Sequence, residues 1–372
     1  MRDKFTAIES ELNQTYLERR EVIRGLLVGL LARQHVLLLG PPGTAKSALA
    51  EDICSRIGGR YFRWLLARTS TPEELFGPIS LKALENDSYR RVTAGKLPEA
   101  TVAFVDEIFK CNSAVLNSLL SILNERLFFN DGQPTQVPLE MVVGASNELP
   151  EDREELGALW DRFLLRYVVS YVKDPRSFEK LLAGAGAIGR KTLTAQELAQ
   201  AQAEVRQVDV KRVIPHIATL RQKMMELNIP VSDRRWKQSL DLVRAHAWLE
   251  GRAQAQEDDL EILAAALWQE PEQITQVRQA IMALANPLDQ EAQDLLDQAM
   301  EVWQQAMQAS DEKATAAGAE ANAKLKKIAK RLEELQREAQ AKGKSDARIA
   351  EALFQVVAWN REVVAKCLGI AI

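Results

Sequence analysis

The sequence predicts an α/β protein with a mostly parallel sheet, followed by an all-helical region and a C-terminal helical bundle. Three observations carry this. Between His35 and about Tyr171, short apolar runs (VLLLG, TVAFVD, MVVGAS, LLRYVVSYV) alternate with longer amphipathic stretches, as strands buried between helices do. After Asp174-Pro175 the chain reads as helical, rich in Leu, Ala, Gln and Glu, as far as Asn286-Pro287. Beyond Leu288 three apolar series step by three and four, the spacing of a helix stripe. These begin at Ala292, Ala321 and Ile349. The regions expected are therefore 1–172, 173–287 and 288–372.

Composition narrows the function. The 372 residues suffice for two or three domains, and 47% apolar with 27% charged residues is ordinary for a globular chain. Forty-eight Lys and Arg against 52 Asp and Glu leave a net charge of −4, so no overall positive field calls for nucleic acid or an anionic membrane. The apolar runs are far shorter than a membrane span, and MRDKFTAIESEL lacks the apolar core of a secretory signal. Cys54, Cys111 and Cys367 are scattered, as are His35, His216 and His246, without metal-type spacing. A reduced, cytoplasmic protein without a metal cluster is the expectation.

Taken in order, residues 1 to about 33 read as one helix, with Ile8, Leu12, Tyr16, Val22, Ile23, Leu26, Leu27 and Leu30 near helical spacing. The strand-like HVLLL then delivers the chain to Gly40-Pro41-Pro42-Gly43-Thr44-Ala45-Lys46-Ser47, which opens the helix SALAEDICSRI. A phosphate-binding loop needs this context: a tight turn whose N–H groups point inward, capped by a positive helix N-terminus. Lys46 would reach the β- and γ-phosphates, and Ser47 would ligate Mg²⁺. Ala45 stands where Gly usually precedes the Lys, and is strained if its φ is positive.

Val102-Ala103-Phe104-Val105-Asp106-Glu107 is a buried-strand run ending in two carboxylates. Downstream of a phosphate loop, Asp106 is expected to hold Mg²⁺ through water. Glu107 would orient and deprotonate an attacking water, which points to hydrolysis. A third run, Met141 to Ser146, ends at Asn147, which could hydrogen-bond the γ-phosphate or that water.

These motifs resemble the AAA+ ATPases, and within them the MoxR group, whose RavA branch is nearest. GPPGTAKS with Ala before Lys, TPEELFGPISL and DEIFKCNSAVLNSLLSILNERLFF carry the likeness, over residues 5 to 285. The resemblance implies a five-stranded parallel αβα core with a small helical lid. It also implies an insert in the second helix, where Gly77 to Lys96 fits a hairpin. By position, Arg162 in Asp161-Arg162-Phe163 matches the finger that reaches the γ-phosphate in the next subunit, with Arg166 its rival. Arg234, in Val231-Ser232-Asp233-Arg234-Arg235-Trp236, matches the second sensor, with Arg235 the alternative. Phe76 could face a ring pore or pack beneath the insert.

The resemblance further implies ATP and Mg²⁺ dependence, a homo-hexameric ring, a protein client and a partner with a von Willebrand factor A domain. The final segment reads as three antiparallel helices, with Gly343 and Ser345-Asp346 marking a stop and a new N-cap. Residues 311–372 hold 12 Lys and Arg against nine Asp and Glu, interspersed as on a solvated face. In the RavA branch a decarboxylase-binding domain interrupts the bundle. Here only the turn Ala341-Lys342-Gly343-Lys344 stands at that place, so a lysine decarboxylase partner is not expected. A DNA-translocating ATPase and a nucleotide-binding scaffold without turnover are the rival readings.

Overall fold

The computed structural model describes residues 1–150, 153–184, 190–308, 311–341 and 346–367. The chain divides into two compact units, Met1–Val277 and Arg278–Ile372.

The first unit opens with two helices, α1 (Arg2–Thr15) and α2 (Arg20–Ala32), not the one helix expected. The chain turns at residues 16–19, where Glu18 takes a left-handed φ of 58°. That turn is held from outside. The Glu18 carboxylate accepts from the N–H groups of Lys173 and Asp174, and the Arg19 guanidinium donates to Ser170 O. Phe5, Ile8 and Leu12 on α1, and Val22, Ile23, Leu26, Leu27, Leu30 and Leu31 on α2, are buried alike. The apolar period therefore continues through a turn that no Gly or Pro marks.

Strands β1 (His35–Leu39), β2 (Tyr61–Leu65) and β3 (Val102–Asp106) follow, with α3 (Lys46–Ser55) after the first. Short helices α4 (Pro72–Phe76) and α5 (Leu81–Leu84) lie between β2 and β3. Then come α6 (Ser113–Glu125), β4 (Leu127–Asn130), β5 (Gln133–Gln136), β6 (Met141–Ser146), α7 (Arg153–Arg162) and β7 (Phe163–Val168). Five strands form one parallel sheet in the order β2-β3-β6-β1-β7. All of β1 and β6 is buried, as expected of strands covered on both faces. The expected α/β class and five-stranded parallel core are what the structure shows. Gly25 and Gly29 let α2 lie close to that sheet, since a Cβ at Gly25 would meet the Tyr167 ring and one at Gly29 would meet Val36.

The insert pairs only at its base, through Ser80 N–H to Arg90 O (2.8 Å) and Val92 N–H to Pro78 O (2.8 Å), with the helical turn α5 above. A second hairpin, β4–β5, was not foreseen from the sequence. Its two-residue turn is Asp131-Gly132, both with positive φ, as a type I′ turn requires. The insert is latched to it. Ser88 Oγ (2.6 Å) and Tyr89 N–H (2.9 Å) donate to the Asp131 carboxylate, and Arg91 N–H donates to Asn130 Oδ1 (2.7 Å). Phe76 is buried and stacks on Phe128 beneath them, with ring centroids 5.7 Å apart, so it does not face a pore.

The lid region holds α8 (Pro175–Leu182), α9 (Ala195–Arg206), α10 (Ile214–Glu226) and α11 (Asp233–Leu249), with Ser232 capping the last. Trp236, Leu242 and Val243 of α11 are buried there. Helix α12 (Ile274–Ala285) contains the division between the units.

The second unit is a three-helix bundle of α13 (Pro287–Met307), α14 (Asp311–Ala341) and α15 (Ala347–Cys367). Leu325, Leu332, Leu335, Ile349, Val356 and Val363 are buried in its core. Trp303 stacks on Trp359 at 5.7 Å and donates to Glu362. The expected helix stop at Gly343 and Ser345 lies outside the described residues. No described helix is long and apolar enough to cross a membrane.

Candidate nucleotide site

Strand β1 ends at Leu39, and Gly40 turns the chain with φ 146°, its Cα so close to Val169 O that a Cβ would stand 2.0 Å from it. Gly43 and Ala45 are also left-handed, at φ 79° and 65°. Ala45 is thus in the strained conformation that the sequence left open; for a residue with a Cβ this costs about 1–2 kcal/mol. Thr44 Oγ1 closes the turn by donating to Pro41 O (2.9 Å), while Tyr171 O–H donates to Pro42 O (3.2 Å).

Helix α3 begins at Lys46. Its buried ammonium donates to Gly40 O, to Pro41 O (2.9 Å) and to Asn147 Oδ1 (3.0 Å). Burial lowers the Lys46 pKa, and the nearby carboxylates of Asp106 and Glu107 oppose that shift. Ser47 Oγ donates to Asp106 Oδ2 (3.0 Å). Two hard oxygens so placed, one hydroxyl and one carboxylate, suit Mg²⁺ shared with a phosphate ligand. Among the described residues no cluster of three His, Cys, Asp or Glu offers an all-protein metal cage.

Asp106 Oδ1 accepts the N–H of Glu107, which is itself left-handed at φ 52°. That conformation turns the chain sharply out of β3. Asn147 Nδ2 then donates to Glu107 Oε1. Glu107 Oε2 is buried without a hydrogen-bond partner, although Lys110 Nζ lies 3.5 Å away. Residues from three parallel strand ends, β1, β3 and β6, thus form one connected path: Lys46, Asn147, Glu107, Asp106, Ser47. A polar path at the carboxyl ends of parallel strands is where an open α/β sheet receives a ligand.

Arg162 and Arg234 are not part of this path. Phe163, which follows Arg162, lies opposite His35 at the start of β1, so Arg162 stands about 13 Å of strand away from Leu39. Arg234 Nη2 and Arg162 Nη1 lie 3.4 and 3.7 Å from Asp161 Oδ2, and Arg234 Nη1 donates to Asn124 Oδ1 (3.3 Å). Arg162 Nε is buried and unpartnered. Burial and the Arg234 charge both lower the Arg162 pKa. The rivals Arg166 and Arg235 are 0% and 1% exposed, with their guanidinium groups committed to main-chain carbonyls, so neither presents a guanidinium outward. Cys54 and Cys111 are buried, and burial pushes the Cys54 thiol up to about 12, far from nucleophilic use.

Comparison with known proteins identifies the family and the fold. Residues 3–209 match the family described as the MoxR domain in the MoxR-vWA-beta-propeller ternary systems, and residues 212–281 match an AAA lid domain. An uncharacterised protein of Methanocaldococcus jannaschii is 41% identical over 298 residues, 80% of this chain and 77% of its own. Protein MoxR of Paracoccus denitrificans is 30% identical over 45% of this chain and 50% of its own. Chaperone MoxR1 of Mycobacterium tuberculosis is 27% identical over 43% of each. A solved Cytophaga hutchinsonii structure, provisionally named an ATPase, superposes with a TM-score of 0.59 at 17% identity, covering 76% of this chain and 93% of that one.

Proposed function

The chain belongs to the MoxR family of AAA+ ATPases, and from that premise we propose that it hydrolyses ATP with Mg²⁺ in a homo-hexameric ring and uses the cycle to remodel a protein client. The observation that carries the reading is the path Lys46–Asn147–Glu107–Asp106–Ser47.

In the cycle, the phosphate-loop N–H groups and Lys46 bind the β- and γ-phosphates. Ser47 and Asp106 would hold Mg²⁺, which supplies charge neutralisation on the phosphates. Asn147 fixes the Glu107 carboxylate through Oε1, and Glu107 orients a water and takes its proton once Oε2 turns away from Lys110. Water oxygen bonds to the γ-phosphorus as the bond to the ADP oxygen breaks, and ADP leaves with the electron pair. Arg162 stands at the opposite strand end from its own loop, so it acts on a neighbour's γ-phosphate, and Arg234 beside it goes to the same place. A guanidinium there is worth on the order of a thousandfold or more in rate.

The family's description, a MoxR domain of MoxR-vWA-beta-propeller ternary systems, supports two partners for this chain, a protein with a von Willebrand factor A domain and a β-propeller protein. A cytoplasmic ring of the RavA kind, with the C-terminal bundle as adaptor, is the finer form of this proposal. Glu107→Gln tests it: nucleotide should remain bound as ATP while turnover falls about a hundredfold or more. Unchanged turnover would refute the assignment.

A further inference from the structure

Arg166 on β7 and Arg235 on α11 are among the largest wholly buried side chains, and the cycle above uses neither. Both fork onto the carbonyls of one short segment, residues 160–164. Arg166 donates to Trp160 O (3.3 Å) and Phe163 O (3.1 Å). Arg235 donates to Asp161 O (3.2 Å), Phe163 O (3.1 Å) and Leu164 O (2.9 Å). Each also reaches a second segment of the lid, residues 266–268: Arg166 donates to Trp268 O (2.6 Å), and Arg235 to Ala266 O (2.7 Å). Trp160 covers the Arg166 guanidinium at 4.2 Å, and Trp268 lies 5.9 Å from it.

Burying two guanidinium groups is costly, and apolar side chains of similar volume would fill the space without that cost. Burial lowers both pKa values, bringing Arg235 to about 10 against the pull of Asp161. What the guanidinium adds over packing is direction, because its rigid fork fixes several acceptors at set angles. The clamped segment contains Arg162, and Arg234 precedes Arg235 on the clamping helix.

We propose that Arg235 and Arg166 are positioning residues that rivet residues 160–164 to the lid, so that Arg162 and Arg234 are presented to the neighbouring subunit as one body and move with the lid. The proposal rests on the reading of Arg162 as a residue acting between subunits. Its consequence is directional: loosening the rivet in one subunit impairs the nucleotide site of the next and leaves its own site whole.

Mixing of variants tests this. Arg235→Lys keeps the charge and loses the fork. Alone, it should bind ATP normally and turn over about a hundredfold more slowly, the scale of a misplacement of about 1 Å. Glu107→Gln alone should be inactive. Mixed, the two should regain activity, because Glu107→Gln subunits bring a sound Arg162 to the sound phosphate loop of Arg235→Lys subunits; a merely misfolded subunit would not be rescued. Arg162→Ala mixed with Glu107→Gln is the reference. If that reference regains activity and Arg235→Lys does not, or if Arg235→Lys alone runs at the wild-type rate, the rivet is overturned and the finger stands. If neither mixture regains activity, the intersubunit reading of Arg162 falls and the rivet with it. Should Arg235→Lys fail to fold, Gln269→Ala replaces it; this removes the side-chain acceptor shared by Trp160 and Arg166, together with a donor to Pro230 O, and leaves both guanidinium groups in place.

Discussion

Asn147 joins Glu107 to the phosphate loop: its amide donates to Glu107 Oε1 while its carbonyl oxygen accepts from Lys46 at 3.0 Å. One side chain at the end of β6 thereby ties the proposed base to the cation that meets the γ-phosphate. Asn147→Ala should slow kcat by about a hundredfold and change KM little, because the link orients Glu107 without holding the nucleotide. Steady-state kinetics with an ATP-affinity measurement checks this; a rise in KM at unchanged kcat would place Asn147 in ground-state binding.

Ala45 sits at φ 65° within the loop. Replacing it with Gly removes the Cβ strain, which outweighs the opposing gain in unfolded-state entropy, so Ala45→Gly should stabilise the protein by about 1 kcal/mol. Denaturant unfolding measures it, and a loss of stability would show that the Ala45 methyl makes packing contacts worth more than the strain.

His35 is a buried neutral imidazole. Val142 N–H donates to its Nδ1 (2.9 Å), and its Nε2 lies 2.9 Å from Leu123 O. Burial holds its pKa well below 6.5, and the Arg126 charge adds to that. A depressed histidine pKa means that the unfolded chain binds the proton first. Its stabilising contribution is therefore complete above pH 6.5 and is lost as pH falls below that value. Unfolding free energy should decline from pH 6.5 downward, and His35→Asn should flatten the decline while lowering stability at pH 7.5. An equal slope in both proteins would contradict the assignment.

Asp131 fastens the insert to the β4–β5 hairpin. Asp131→Ala should speed amide exchange at Tyr89 and Arg91, whose N–H groups donate across that junction, with exchange in the five-stranded sheet unchanged. Exchange rates equal to wild type at both amides would mean that Phe76 on Phe128 holds the insert unaided.

The phosphate loop and the ends of β3 and β6 were legible in the sequence because each is a contiguous run placed by a buried strand. The strand alternation likewise gave the sheet, and the three apolar series gave the bundle. The break at residues 16–19 was hidden because its partners, Ser170, Lys173 and Asp174, lie far along the chain, Ser170 being 151 residues beyond Arg19. The Asn-Asp-Gly signal at residues 130–132 was available for the missed hairpin, but the apolar run before it reads on as helix. Whether Arg162 or Arg166, and Arg234 or Arg235, faces outward could not be read locally. Their inward partners lie far along the chain: Arg166 donates to Trp268 O, 102 residues on, and Arg235 to Ala266 O, 31 residues on.

In the proposed ring each ATP site is completed by a neighbour. Specific ATPase rate should therefore be measured against protein concentration with Mg²⁺, and molecular size determined at each point. The rate per subunit should climb and saturate as the ring assembles, with Arg162→Ala assembling but slow. A monomer with full, concentration-independent activity would contradict it.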